Sequence, residues 1–302
     1  MKRIGFIGLG AMGRPMATNL LKKGYQVTLF DLIFREGDVE YWNELGGAIG
    51  KSSKHAAQDA DIIITVLPSS ENVREAILGE FGVIHGVEKG ATVIDMSTID
   101  PVTTREVGAA LQEKGVDMID APVARTVKAA EQGNLAIYVG GKKEVFEKCK
   151  DVLGAMGSDL FYIGGLGTGE LVKIINNQIL AGTVALLSEA LVLGVKGGVA
   201  PDILLEALGN GSANSFALQN HIKRSVMEGK FEEGVFSVEY MLKDIGFALK
   251  TAASLNVPLF FTGLTAQFYQ QGIAAGVGKQ YHPAVIRPLE KLTGIEVRSE
   301  IK

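Results

Sequence analysis

Cysteine occurs once in 302 residues, at Cys149. One thiol rules out an internal disulfide framework and fits a reducing cytoplasm. Cys149 follows Lys148 in an amphipathic, helical pattern, which suits a packed thiol better than a nucleophile. Neither sign of charge dominates: 30 Lys and Arg face 34 Asp and Glu, a net charge of -4. With no basic tail or lysine-rich face, binding to nucleic acid has no electrostatic support. The chain has no internal repeat and no low-complexity segment, and nothing in its pattern asks for a metal. The opening Met1-Lys2-Arg3 resembles the start of a signal peptide, but four glycines between Gly5 and Gly13 interrupt the apolar run and no small-residue cleavage site follows. The apolar segment 174–188 is too short and too rich in amides to cross a bilayer alone, so no membrane partner is expected.

What is present is an ordinary globular composition, 47% hydrophobic and 21% charged, at a length of 302 residues that suggests two domains. The stretch from Gly167 to Val195 organises the rest. It reads as one long helix, apolar on every face and uncharged from Ile174 through Ser188, the pattern of a helix enclosed by protein. Lys173 and Asn177 sit four residues apart on one face of it, with Asn176 beside them. An amine at the mouth of an apolar helix is costly unless it has a partner or a task, because desolvation disfavours its charged form. Lys173 is therefore a candidate proton donor, or else a lysine that caps a domain junction and snorkels to solvent.

At the other end of the chain, the strand Ile4-Gly5-Phe6-Ile7 runs into Gly8-Leu9-Gly10-Ala11-Met12-Gly13, and helical periodicity follows from Met16 to Leu21. Such glycines permit a tight turn and let a pyrophosphate approach the amides of a helix N-terminus. A second strand, Gln26 to Phe30, ends at Asp31, where a carboxylate would accept the hydroxyls of an adenosine ribose and repel a 2'-phosphate. NAD is thus expected over NADP, with Arg35 close enough to soften that preference.

Strands and helices then alternate: strands at 61–67, 92–95, 117–119, 135–139 and 160–163, helices at 72–78, 101–114 and 144–156. This implies a parallel sheet covered on both faces, with ligand at the strand C-termini. Three of those ends carry informative residues: Leu67-Pro68-Ser69, Asp95-Met96-Ser97-Thr98, and Asp120-Ala121-Pro122-Val123-Ala124-Arg125-Thr126. Gly164-Gly165 breaks the pattern. Beyond it, segments 201–208, 215–227, 238–254, 259–274 and 283–292 are all helical in period. The expected fold is α/β: a Rossmann-like doubly wound domain over 1–165, then an all-α domain over 166–302, linked by the long helix.

With those residues in hand, the chain resembles the β-hydroxyacid dehydrogenase family, which includes 3-hydroxyisobutyrate dehydrogenase and tartronate semialdehyde reductase and is related to 6-phosphogluconate dehydrogenase. The likeness covers essentially the whole chain. Its carriers are the glycine loop with Pro15, Met16 and Ala17, the Asp120-Ala121-Pro122-Val123 segment, the segment Gly169 to Asn177, and Lys243-Asp244. The resemblance implies that Lys173 is the general acid or base, that Asn177 orients substrate, that Thr98 lies beside the nicotinamide, and that Phe236, Lys243 and Asp244 close over cofactor and substrate; Leu67 and Pro68, at a strand end, are expected to contact the cofactor as well. It also implies a homodimer or homotetramer.

One departure bears on substrate. Relatives acting on simple carboxylates follow Asp-Ala-Pro-Val with Ser-Gly-Gly, where this chain has Ala124-Arg125-Thr126. An arginine fork is a permanent cation able to hold a carboxylate or sulfonate with two donors. In this the chain is similar to the sulfolactaldehyde reductases. The expected activity is reversible hydride transfer between NADH and a short anionic semialdehyde or hydroxyacid, 3-sulfolactaldehyde first, with 3-hydroxyisobutyrate, tartronate semialdehyde and succinic semialdehyde as alternatives. Imine reduction is disfavoured by the presence of Lys173. A non-enzymatic cofactor-binding scaffold is disfavoured by the retention of Lys173, Asn177 and Asp244.

Overall fold

A computed structural model of the chain describes residues 2–299. They form two compact units, one running up to Lys173 and the other starting at Ile174. The division falls inside the helix Thr168–Lys196.

The first unit is built on one sheet of β1 (Arg3–Ile7), β2 (Gln26–Phe30), β3 (Ala48–Ile49), β4 (Ile62–Thr65), β5 (Thr92–Asp95), β6 (Asp117–Asp120), β7 (Val123–Ala124), β8 (Leu135–Gly140) and β9 (Gly157–Gly164). The order is β3-β2-β1-β4-β5-β6-β8-β7, with β9 on β8. β1 to β6 run parallel, as do β8 and β9, whereas β8 is antiparallel to β6 and β7. β4 and β5 are buried along their whole length, which is why Ile62-Ile63-Ile64 and Val93-Ile94 read as apolar runs rather than as alternation. The direction of winding reverses between β1 and β4, and the loops after these two strands frame the crevice of a doubly wound sheet.

Helices Gly13–Lys22, Ser70–Leu78, Pro101–Glu113 and Lys143–Leu153 cover the sheet. Their starts are set by local chemistry. The Ser69 hydroxyl accepts from the Asn72 amide at 3.2 Å, and Asp100 accepts from the Val102 amide at 2.9 Å with Pro101 at the first helical position. Five short elements carry too few residues to show a period in the sequence: Asp38–Glu44, β3, Ser53–Ala57, β7 and Val127–Glu131. The first of them buries Trp42 completely.

The second unit is helical: the remainder of Thr168–Lys196, then Pro201–Asn210, Ala217–Val226, Val238–Ser254, Phe260–Ala274 and Arg287–Thr293. Ala217–Val226 is a π-helical segment, closed by the Met227 amide reaching back five residues to the Ile222 carbonyl at 3.1 Å. A 3-10 stretch, His282–Ile286, leads into the last helix. Val184, Leu191, Met241, Ile245, Tyr269 and Ile286 lie in its core.

One expectation is corrected. The long helix is not enclosed on all faces within the chain: Ile175, Ile179, Leu186 and Leu193 are 43%, 63%, 67% and 75% exposed. Their spacing of four and seven residues makes them a single stripe. Uniform apolarity here reflects a face that the chain itself leaves open.

Candidate active site

Gly8 follows β1 with φ of +99°, and a side chain there would run into the Val66 carbonyl as well as strain the backbone. Gly10 differs: nothing lies within 4 Å of where its Cβ would stand. That open space beside an exposed main chain, at the mouth of the helix starting at Gly13, is what close approach of a pyrophosphate requires. Leu9, Ala11 and Met12 complete the loop. The Leu9 amide donates to Asp31 Oδ2 at 2.6 Å and the Ile33 amide donates to Oδ1 at 3.0 Å. Asp31 is thereby fixed beside the glycine loop, half-buried, and a dinucleotide fits these residues. Arg35 is exposed. Arg14, the residue after this loop, pairs with the buried Asp38 and stacks over the Tyr41 ring at 4.3 Å.

Three acids are buried here: Asp95 and Asp120 end β5 and β6, and Glu170 lies in the first turn of the helix Thr168–Lys196. Asp95 accepts from the Thr65 hydroxyl at 2.8 Å and the Ser97 hydroxyl at 2.6 Å. Ser97 in turn accepts from the Leu67 amide at 2.9 Å, so one carboxyl ties the Leu67-Pro68 loop to the Ser97-Thr98 loop. Burial pushes Asp95 up to about 6, and the neighbouring Asp120 charge adds to this against its hydrogen bonds. Asp120, opposite Asp95 in the β5–β6 pairing, accepts from the Gly167 amide at 2.7 Å and the Glu170 amide at 2.8 Å. Burial raises its pKa as well, opposed by these backbone donors. Glu170 is fully buried and its Oε2 accepts from the Ile99 amide at 3.2 Å.

Lys173 stands three residues after Glu170 on this helix and is half-buried. In the second unit, Asn177 is 2% exposed; its Nδ2 donates to Asp244 Oδ2 at 2.6 Å and its Oδ1 accepts from Asn176 Nδ2 at 3.0 Å. Lys243 Nζ lies 3.4 Å from Asp244 Oδ1 and over the rings of Tyr240 and Phe247. Phe236 is half-buried, stacked on Tyr240 and edge-on to His282. Asn176, Asn177, Lys243 and Asp244 thus form one polar group, and Phe236 adjoins it through Tyr240.

Arg125 follows β7 directly. Arg125 is exposed, and its guanidinium faces protein: Nη2 lies 2.5 Å from Asp159 Oδ2, and Nη1 donates to the Asn134 carbonyl at 2.8 Å. Its φ of +87° belongs to the left-handed region that favours glycine. The loop therefore keeps a backbone shape suited to glycine while carrying an arginine. Thr126 caps the helix Val127–Glu131, accepting from the Ala129 amide at 3.4 Å, and Ala124 belongs to β7. Elsewhere, burial pushes the Cys149 thiol up to about 11, which removes it from nucleophilic chemistry.

Residues 3–164 match the NAD binding domain of 6-phosphogluconate dehydrogenase, and residues 167–289 match the NAD-binding domain of NADP-dependent 3-hydroxyisobutyrate dehydrogenase. The chain belongs to the β-hydroxyacid dehydrogenase family. As a member it is a nicotinamide-dependent dehydrogenase acting on a CH–OH group. It is 40% identical to 2-(hydroxymethyl)glutarate dehydrogenase of Eubacterium barkeri, over 98% of this chain and 97% of that one. It is 36% identical to 3-sulfolactaldehyde reductase of Escherichia coli, over 99% of each. Among solved structures, 3-hydroxyisobutyrate dehydrogenase of Salmonella typhimurium superposes with a TM-score of 0.84 at 27% identity, covering 95% of this chain and 100% of that one. In this β-hydroxyacid dehydrogenase, the glycine loop and Asp31 occupy the part of the chain that matches the cofactor domain, and Lys173 with Asn177 falls in the second match.

Proposed function

We propose that this dehydrogenase interconverts a short aldehyde bearing a distal anion and the corresponding hydroxyacid, using NAD in preference to NADP, with Lys173 as proton donor in reduction. The nicotinamide, when bound, supplies or accepts the hydride. Gly8 to Gly13 and Asp31 hold the dinucleotide, with Leu67, Pro68, Thr98 and Lys243 along it. Lys173 delivers a proton to the substrate oxygen that gains negative charge, a contribution of about 10² to 10⁴-fold for general acid catalysis. Asn177 donates its second amide hydrogen to the same oxygen, Asn176 and Phe236 line the substrate, and Asp244 sets the orientation of Asn177. Arg125, Thr126 and the Ala124 main chain grip the distal anion.

The observation that carries this reading is the Asn177–Asp244 bond at 2.6 Å, one helical turn beyond Lys173. A buried carboxylate that fixes an amide on the face shared with the lysine suits a polar reacting centre better than a structural helix. For the substrate itself, Arg125-Thr126 favours 3-sulfolactaldehyde, while the 40% identity to a dicarboxylate dehydrogenase favours the aldehyde form of 2-(hydroxymethyl)glutarate. NADH oxidation should be followed with these two and with succinic, methylmalonic and tartronic semialdehydes. Turnover of one or two of them is expected. Absence of turnover on all, with NADH still bound, would return the chain to a cofactor-binding scaffold. The same reading includes a homo-oligomer, since the apolar stripe on the long helix asks for a second copy, and a reducing cytoplasm as its setting.

A further inference from the structure

We propose that Glu170 is a positioning residue that couples the Thr98 loop to the helical turn carrying Lys173. Glu170 is fully buried, where an apolar residue would fill the same space at no desolvation cost. It bonds in two directions. Its main-chain amide donates to Asp120 Oδ2 at 2.8 Å, tying the first turn of the helix Thr168–Lys196 to the end of β6. Its side-chain Oε2 accepts from the Ile99 amide at 3.2 Å, tying the same turn to the loop beyond β5. Ile99 is the residue after Thr98, and Lys173 neighbours Glu170 on the helix surface at a spacing of three.

The Glu170 side chain, on a turn whose main chain is anchored to β6, thus sets the separation between the Thr98 loop and the turn bearing the proton donor. Misplacement of a reacting group by about 1 Å can cost about 10²-fold in rate. Asp95 completes the frame from behind, since through Ser97 it also holds the Leu67 loop. The inference rests on Lys173 being the proton donor.

The test compares Glu170→Met, which fills the space without an acceptor, with Glu170→Gln, which keeps an acceptor for the Ile99 amide, in the full chain. Glu170→Met should lower kcat at least about 10-fold while the NADH dissociation constant, read by fluorescence, stays within about twofold. The primary deuterium isotope effect on kcat with 4-deuterated NADH should rise, a change that mere loss of folded protein does not produce. Amide exchange of segment 97–101 in the ligand-free protein should accelerate, and Glu170→Gln should recover most of the lost kcat and the exchange protection. Wild-type kcat in Glu170→Met, or a fall in kcat with an unchanged isotope effect, overturns the proposal. Should Glu170→Met not fold, Asp120→Asn, which loosens the same turn at its other anchor, is expected to raise the isotope effect likewise, and an unchanged effect there is equally fatal. Lys173→Ala belongs in the same series. Retention of most activity by Lys173→Ala sinks the lysine's role, whereas an inactive Lys173→Ala beside a fully active Glu170→Met sinks only the coupling.

Discussion

Asn177 and Asp244 share a buried hydrogen bond of 2.6 Å, with Asn176 fixing the other end of the same amide at 3.0 Å. The amide of Asn177 cannot flip without placing its carbonyl against a carboxylate. Its remaining hydrogen therefore has one direction to point. A hydrogen bond to a charged group contributes about 1.5 to 3 kcal/mol, so Asp244→Ala should lower kcat about 10- to 100-fold. Steady-state kinetics and NADH titration separate the outcomes: an unchanged kcat would leave Asp244 a purely structural acid.

Much of this arrangement is legible in the sequence, and the physical reason differs from part to part. β1 with its glycine loop, and the long helix with Lys173 and Asn177, announce themselves because period and residue type agree over many residues. Elements such as Ser53–Ala57 and β7 are too short to have a period, and are held by pairing that sequence does not display. The hydrogen bonds of the buried acids Asp95, Asp120 and Glu170 escape for another reason. Besides the Thr65 and Ser97 hydroxyls, their partners are backbone amides, those of Ser97, Gly167, Glu170 and Ile99, and every residue but proline carries one of those. The open stripe on the long helix shows the converse limit, since composition tells that a face is apolar but not what covers it.

Arg125 poses a choice between guanidinium and backbone. Its pair with Asp159 has side chains 39% and 44% exposed, and exposed pairs contribute about 0 to 1 kcal/mol, so a substrate anion displaces Asp159 at small cost. Both Arg125→Ala and Arg125→Gly should raise KM at least about 10-fold for substrates with a distal anion. Asp159→Asn, which releases the fork, should lower it. Because φ at this position is +87°, glycine restores any role of the loop amides while alanine does not. A wild-type KM in Arg125→Gly alone would move the grip to the backbone.

Asp31 receives the amides of Leu9 and Ile33 and keeps lone pairs for the ribose hydroxyls. Asp31→Asn removes the charge that repels a 2'-phosphate. The ratio of kcat/KM for NADH over NADPH should fall about 10-fold or more. An unaltered ratio would place ribose discrimination on other residues.

Ile175, Ile179, Leu186 and Leu193 line one face of the long helix, and Phe260, Phe261 and Leu264 are 79%, 84% and 70% exposed on another helix of the same unit. The Gln178 amide donates to the Thr262 hydroxyl at 2.8 Å, which brings the two helices side by side. Large apolar patches left open on a surface mark interaction sites. Leu186→Lys with Leu264→Lys should shift the protein toward monomer in light scattering after size-exclusion chromatography, and an unchanged mass would clear this face of the interface.

Acid should act on the two units with opposite sign. In the second unit, burial holds His221 down to about 4, with Arg224 contributing, and its Nδ1 bonds the Tyr281 hydroxyl; fully buried His282 is depressed in the same direction. Between pH 6.5 and 4 the unfolded chain takes a proton on His221 that the folded one refuses, so stability falls as pH drops through this window, by up to about 3 kcal/mol. In the first unit, burial holds Asp95 up to about 6, so between pH 3.8 and 6 the folded chain keeps a proton that the unfolded one releases. Its contribution is complete below 3.8 and fades as pH rises to 6. Comparing thermal midpoints of His221→Gln and Asp95→Asn with the wild type across this range isolates each group. The difference between variant and wild type should shrink with rising pH for His221→Gln and grow for Asp95→Asn. Parallel curves in either case would mean that the group titrates in the folded protein much as it does in water.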